Sequence, residues 1–220
     1  MDDRKYKTNK RGPLPWKTTR IDESITKLIL GSFTSADGMD YYYYGSQYND
    51  FYLFLDYALN LSDKDINIDE SMKTSEIKEK IESCHKSIFV QLKNVLRDPK
   101  SDKNKIRKQI HQALLDKGFD ICDLFLKVYM KDPTKDNDTN IALKSPDTIY
   151  DETLLKSINE SNIDTIYCTG AYVRKRFNII KKRFNIKDIN VVTLVSPSRL
   201  MAKMSTCEKL KDWKHKLNTK

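Results

Sequence analysis

The sequence predicts an α/β protein, a single domain built on a central, mostly parallel sheet flanked by helices. Two observations carry this. Short apolar, β-branched runs stop abruptly at glycine or run into a proline loop, as in "SITKLILGSF", "IDTIYCTG" and "INVVTLVSPSR". Segments of helical period alternate with them, and strands alternating with helices are joined by crossovers that leave the strands parallel. In such sheets ligands bind beyond the carboxyl ends of the strands, so the loops after Leu30 and Leu194 are the informative ones.

Residues 1–20 are polar, basic and broken by Gly12, Pro13 and Pro15, and read as an N-terminal arm preceding a domain over 21–220. "SITKLILGSF" turns apolar suddenly and stops at Gly31, as a buried strand does. From 49 to 59, Phe51, Leu55 and Ala58 recur at helical spacing with Tyr52 and Leu59 beside them. After a polar stretch from Leu61, the positions Ile77, Ile81, Cys84, Ile88, Leu92, Val95 and Leu96 predict one amphipathic helix ending before Pro99. Ile106, Ile110, Ala113 and Leu114 predict another, stopped at Gly118 in the position of a left-handed cap. "FDICDLFLKVYM" reads as a strand that becomes a helix near Asp123, followed by a polar loop and a short helix over 153–159. "IDTIYCTG" is a strand entering a tight turn, "AYVRKRFNIIKKRF" a basic helix, "INVVTLVSPSR" a strand with a proline loop, and "TCEKLKDWKHKL" a final helix.

Of the 220 residues, 40 are Lys or Arg and 31 Asp or Glu, a formal net charge of +9 that attracts a polyanion before any specific contact forms. Nucleic acid is the leading partner class, and simple solubility is the competing account, because the two signs are interspersed. No run approaches the ~18 apolar residues of a membrane helix, and "MDDRKYKTNKRGPLPWK" has no apolar signal core. A cytoplasmic monomer is expected. Cys84, Cys122, Cys168 and Cys207 are far apart without a C-x-x-C pair, so buried free thiols are expected rather than a zinc or iron–sulfur site, and His85, His111 and His215 are equally scattered.

The stretch "LILGSFTSADGMDYYYYGSQYNDFYLFLDYAL" has an unusual make-up for a loop between a strand and a helix. A glycine turn lets backbone approach a ligand closely, four tyrosines supply stacking surface, and Asn49 offers both an acceptor and donors to a water. These are the parts of a pocket for a flat base.

"LILGSFTS", "YYGSQYNDFY", "GFDICDLF" with "DNDTNI", "IDTIYCTGAYVRKRF" and "VVTLVSPSR" followed by a late tryptophan occur in the order of the motifs of the uracil-DNA glycosylase superfamily, which the chain resembles from about residue 28 to 213. The closest resemblance is to the hypoxanthine-DNA glycosylase and mismatch-specific branch, with 61–105 standing as a helical insertion. The first motif corresponds to Gly31, Ser32, Phe33, Thr34 and Ser35, and Phe33 stands where the best-known members carry an acidic, water-activating residue. The resemblance shifts that task to Asn49, ahead of Phe51 and Tyr52; Asn49 would position water or stabilise the sugar cation, and the alternative is that it caps the following helix. Tyr43 and Tyr44 match paired tyrosines, one of which would stack on an extruded base, while Ser46 and Gln47 replace the usual His-Pro pair. Asp123 matches an acidic position that would read the base edge or cap a helix, with Cys122 in place of tryptophan; Asp138 and Ile141 match a downstream D-x-x-I pattern.

The resemblance also implies that Ser196, Pro197, Ser198, Arg199, Leu200 and Met201 compress the DNA backbone and wedge a side chain into the vacated stack. Serine hydroxyls suit phosphate contacts, Leu200 or Met201 has the size of a wedge, and Ser198 could equally cap the last helix. Arg174, Lys175, Arg176, Lys181, Lys182 and Arg183 give the helix after "TIYCTG" a basic face, read for most of them as a solvated face with one or two, Arg174 foremost, expected to reach DNA. The function so implied is a monofunctional DNA glycosylase that flips out a deaminated or modified base from double- or single-stranded DNA and hydrolyses its N-glycosidic bond without metal or cofactor. Two alternatives stand beside it. One is excision of a bulky hypermodified base of phage DNA in antiviral defence, and the other is a DNA-binding module that kept the fold without catalysis.

Overall fold

The computed structural model describes residues 6–8, 21, 24–33, 49–132, 140–145, 148–197 and 204–219. In chain order its elements are β1 (Tyr6–Thr8), β2 (Lys27–Gly31), α1 (Phe51–Leu59), α2 (Thr74–Ser83), α3 (Ile88–Arg97), α4 (Lys103–Leu115), β3 (Phe119–Asp123), β4 (Phe125–Tyr129), β5 (Ile149–Tyr150), α5 (Glu152–Glu160), β6 (Thr165–Cys168), α6 (Ala171–Arg183), β7 (Asn190–Thr193) and α7 (Thr206–Asn218). The protein is α/β with a parallel central sheet, as its sequence predicts. It divides into two compact units, each assembled from two stretches of chain: Met1–Met39 with Gly118–Thr193, and Asp40–Lys117 with Leu194–Lys220. The segment 61–105 lies within the second unit.

The first unit holds a four-stranded sheet in the order β3-β2-β6-β7, parallel throughout. Leu28, Ile29, Leu30, Ile121, Ile166 and Cys168 are fully buried, which explains why these strands read as continuous apolar runs rather than alternating ones. The chain runs from β2 outward to β3 and then returns to β2's other side as β6. The order therefore reverses between β2 and β6, and the carboxyl ends of those strands flank the switch point where α/β sheets bind ligands. There Gly170 bridges β6 to α6 at φ 130 and ψ 163, a region essentially confined to glycine. Its Thr169 neighbour donates both its backbone N–H and its hydroxyl to the Leu30 carbonyl, at 3.0 and 3.2 Å.

The strand-to-helix change expected near Asp123 does not occur. β3 is followed by β4, which joins an antiparallel sheet in the order β1-β4-β5. Leu124 and Phe125 donate their N–H groups to the carbonyls of Gly31 and Ser32, at 2.9 and 3.0 Å, and this redirects the chain out of the parallel sheet while keeping it extended. Tyr6–Thr8, within the stretch read as an arm, pair with β4. Ile141, of the D-x-x-I pattern, is buried in an isolated bridge to Met130, and Asp138 lies outside the described residues.

The second unit is helical and centred on α1, of which Phe51 through Ala58 are all buried. Helices α2, α3 and α7 pack on it. Trp213 of α7 meets Phe51 and Phe54 edge to face at 5.6 and 5.4 Å between ring centroids, and its indole N–H donates to the Val195 carbonyl at 2.8 Å. The single helix expected to end before Pro99 is two, α2 and α3, interrupted between Cys84 and Ser87. The cause lies on another element: the Asp56 carboxylate of α1 accepts the N–H groups of Phe89 and Val90, at 3.0 and 2.7 Å, so a new helix starts there. Gly118 follows α4 at φ +77, the left-handed conformation expected of it. All four cysteines are free, three of them buried. Among the described residues no helix is long and apolar enough to cross a membrane, and no group of three or more His, Cys, Asp or Glu could hold a metal ion.

Candidate active site

The residues singled out from the sequence fall into two groups, one in each unit. In the first unit, Gly31 is the last residue of β2 and pairs in register with Asp123, the last of β3. Gly31, Ser32 and Phe33 are buried, with Phe33 8% exposed, and Asp123 is completely enclosed. The carbonyl of Gly31 accepts from Leu124, between β3 and β4, and that of Ser32 from Phe125, the first residue of β4. Beyond the switch point stands the N-terminus of α6, whose N-cap residue, Gly170, has no side chain to occupy the first-turn N–H groups. Arg174, one turn along α6, is exposed and donates from Nη1 to the Thr193 hydroxyl at 3.1 Å, which ties the helix to the end of β7. Arg176 stacks on the Tyr172 ring at 5.3 Å and Lys181 pairs with Asp188 at 2.8 Å, so the outward cations of this helix are Arg174, Lys175, Lys182 and Arg183. Burial pushes the Cys168 thiol up to about 12, with Arg174 opposing, and leaves no thiolate at neutral pH.

In the second unit, the chain enters α1 through Asn49 and Asp50. The Asn49 carboxamide oxygen accepts the Phe51 N–H at 2.9 Å, an Asx turn that fixes the helix entry. Its backbone carbonyl accepts from Lys93 Nζ at 3.0 Å. Asp50 donates its N–H to the Pro197 carbonyl at 3.4 Å, joining the entry of α1 to the segment that follows Leu194. The Asp50 carboxylate pairs with Lys78 Nζ at 2.9 Å. Phe51 is 1% exposed and packs between Tyr52 and Trp213, so its ring serves the core of this unit. Ser196 is half-buried and Pro197 buried. Ser35, Asp37, Tyr43, Tyr44, Ser46, Gln47, Ser198, Arg199, Leu200 and Met201 lie outside the described residues.

A solution NMR structure of a putative uracil DNA glycosylase from Methanosarcina acetivorans superposes with a TM-score of 0.50 and 15% identity, covering 90% of this chain and 91% of that one. The chain has a uracil-DNA glycosylase-like fold. No family model matches the sequence, and no curated protein matches it.

Three residues around Asn49 were not singled out from the sequence: Lys78 of α2, Lys93 of α3 and Lys209 of α7. Lys93 lies both on the Asn49 carbonyl and over the Tyr52 ring, at 5.6 Å from its centroid. Lys209 is only 6% exposed; burial draws its ammonium below the usual lysine range and the nearby Asp50 carboxylate opposes the shift. A sequence signal existed for it. Lys209 stands four residues before Trp213, on the stripe that continues through Leu217, where a lysine interrupts an apolar face. Asp56, the other missed residue, is wholly buried and pushed up to about 6 by burial, against hydrogen bonds from Asn60, Val90 and Phe89.

Proposed function

We propose that the chain is a monofunctional DNA glycosylase of the hypoxanthine and mismatch-specific type. It takes a flipped-out, deaminated base and hydrolyses the N-glycosidic bond to leave an abasic site. The observation that carries this reading is the likeness of fold over nine tenths of both chains, joined to the matching order of motifs along this one. Departure of the base leaves an oxocarbenium-like sugar. DNA phosphates and the Asn49 amide dipole stabilise that charge, and Asn49 orients the water that attacks it. The Asx turn uses one lone pair of the carboxamide oxygen and leaves its chemistry suited to this task, since the second lone pair and the amide hydrogens are separate groups.

With Phe33 in place of an acid, no carboxylate of the first motif activates the water. The mechanism accordingly leans on departure of the base ahead of attack. Gly31, Ser32 and Asp123 form the strand-end part of the base site. Ser196 and the residues that follow it hold the backbone, and Leu200 fills the stack. The deciding experiment is incubation with duplexes containing uracil, hypoxanthine or a bulky modified cytosine, followed by alkali to reveal abasic sites. Cleavable sites in the uracil or hypoxanthine duplex are expected. Sites in the modified-cytosine duplex alone would assign the bulky-base activity, and a gel shift without abasic sites in any duplex would make the chain a binding module.

A further inference from the structure

We infer that Lys93 is a positioning residue of the excision reaction: from α3 it braces the peptide unit that follows Asn49 and so aims the Asn49 carboxamide. This rests on the role given to Asn49 above, and it gives the helical segment 61–105 a part in the chemistry. Among the described residues three bonds hold Asn49, each from a different stretch of chain. Its carboxamide oxygen accepts from the Phe51 N–H at 2.9 Å and its carbonyl from Lys93 Nζ at 3.0 Å; the N–H of the same peptide unit, that of Asp50, reaches the Pro197 carbonyl at 3.4 Å. The α1 ladder cannot supply the brace, since it opens with Phe54 donating to the Asp50 carbonyl, one residue beyond Asn49.

Of the two bonds on that peptide unit, the one to Pro197 is long for an N–H···O bond, so the lysine bears most of the restraint. A planar peptide unit held at one edge can still turn about the soft dihedrals that flank it, and the Asn49 side chain, attached next to it, turns with it. Lys93 is itself fixed. Its ammonium lies 5.6 Å from the centroid of the buried Tyr52 ring. One turn earlier on the same helix, the Phe89 and Val90 N–H groups are taken by the Asp56 carboxylate of α1, at 3.0 and 2.7 Å, which sets α3 in rotation and height against α1. Helix α1 thus carries Asn49 at its entry and, through Asp56 and α3, holds in place the lysine that returns to it. A carboxamide oriented in advance has little left to order when the transition state forms.

The test is single-turnover excision at saturating enzyme, on whichever of the three duplexes above the wild-type chain processes. The variants of the full chain are Lys93→Met, Lys93→Arg, Asn49→Ala and the pair Asn49→Ala/Lys93→Met. Misplacing a catalytic group by about 1 Å can slow a reaction by about 10²-fold, so Lys93→Met should lose ~10-fold or more in rate. Lys93→Arg, which can still donate to the carbonyl and lie over the ring, should recover most of that loss. In the Asn49→Ala background Lys93→Met should cost little further, since a residue that acts through another then has nothing left to act on. At saturating enzyme a lysine that merely bound DNA would leave the rate unchanged, and one that merely supported the fold would slow wild type and Asn49→Ala by the same factor. Either result, or a Lys93→Arg chain as slow as Lys93→Met, overturns the inference while leaving the glycosylase reading intact. Lys93→Gln, whose amide ends one bond short of the ammonium, replaces Lys93→Met if that variant does not fold. An Asn49→Ala chain as active as wild type overturns the role of Asn49 and this inference together, and a wild-type chain that leaves abasic sites in no duplex overturns the glycosylase reading with them.

Discussion

Asn49 combines a structural bond with a proposed chemical one, and two substitutions separate them. Asn49→Ala removes the acceptor of the Phe51 N–H and should cost about 1 kcal/mol of stability. Asn49→Ser can still accept that bond and should melt close to wild type. If the carboxamide acts in the transition state, both variants should lose ~10²-fold or more in single-turnover excision with DNA affinity nearly unchanged. An active Asn49→Ser would reduce the residue to its turn. Asp56 gives a second prediction, in pH. Its folded value of about 6 is raised above the ordinary 3.8, so the folded state keeps this proton where the unfolded chain has released it. The stability from this group is therefore fully present below about pH 4 and is lost as pH rises to 6, by ~3 kcal/mol for a shift of this size. Urea titrations between pH 4 and 7 should show this decline in the wild type and a flatter profile in Asp56→Asn. That variant should also be weaker throughout, because an amide NH2 turned toward the Phe89 and Val90 N–H groups cannot accept from them.

Among the elements, those governed by their own sequence were legible in it. β2, β6 and β7 announced themselves by β-branched runs ending in glycine or a proline loop, and α1, α6 and α7 by their period, with Gly118 and Gly170 in glycine-favouring conformations. What could not be read depended on distant partners. The apolar spacing at Ile77, Ile81, Cys84 and Ile88 continues unbroken through the gap between α2 and α3, because the break is imposed by Asp56 from another helix. "FLKVY" carries no period that separates strand from helix, and the hydrogen bonds that Leu124 and Phe125 donate to the carbonyls of Gly31 and Ser32 decide it. Likewise, Gly31 and Asp123 could be placed at strand ends from the sequence, but the three lysines at α1 could not, since their convergence depends on how separate helices pack. The segment after Leu194 belongs at this scale too. Extruding a base costs a few kcal/mol, and a side chain must fill the gap to hold it out. Replacing Arg199, Leu200 and Met201 by alanine should slow excision from duplex DNA strongly while leaving single-stranded DNA almost unaffected, in parallel single-turnover assays. Equal losses on both substrates would withdraw the wedge assignment.

For the whole molecule, a net charge of +9 predicts binding whose log affinity falls linearly with log salt concentration. Anisotropy titrations with unmodified duplex between low and physiological salt should show this, and a flat response would count against a DNA-facing cationic surface. The division of the chain bears on a different matter, its birth on the ribosome. The helical unit is assembled from Asp40–Lys117 and Leu194–Lys220, so the sheet strands β3, β6 and β7 are made between its two parts. At a synthesis rate of about 5–20 residues per second, the interval from the end of α4 to the start of α7 lasts roughly 5–20 s. Throughout that interval Phe51 and Phe54 wait without Trp213, while the parallel sheet already has β2 and gathers its remaining strands. The nascent helices α1 to α4 are thus complete yet lack α7 throughout this interval, and a stop codon placed between the end of β7 and Trp213 should yield a chain whose sheet unit outlives its helical one under limited proteolysis.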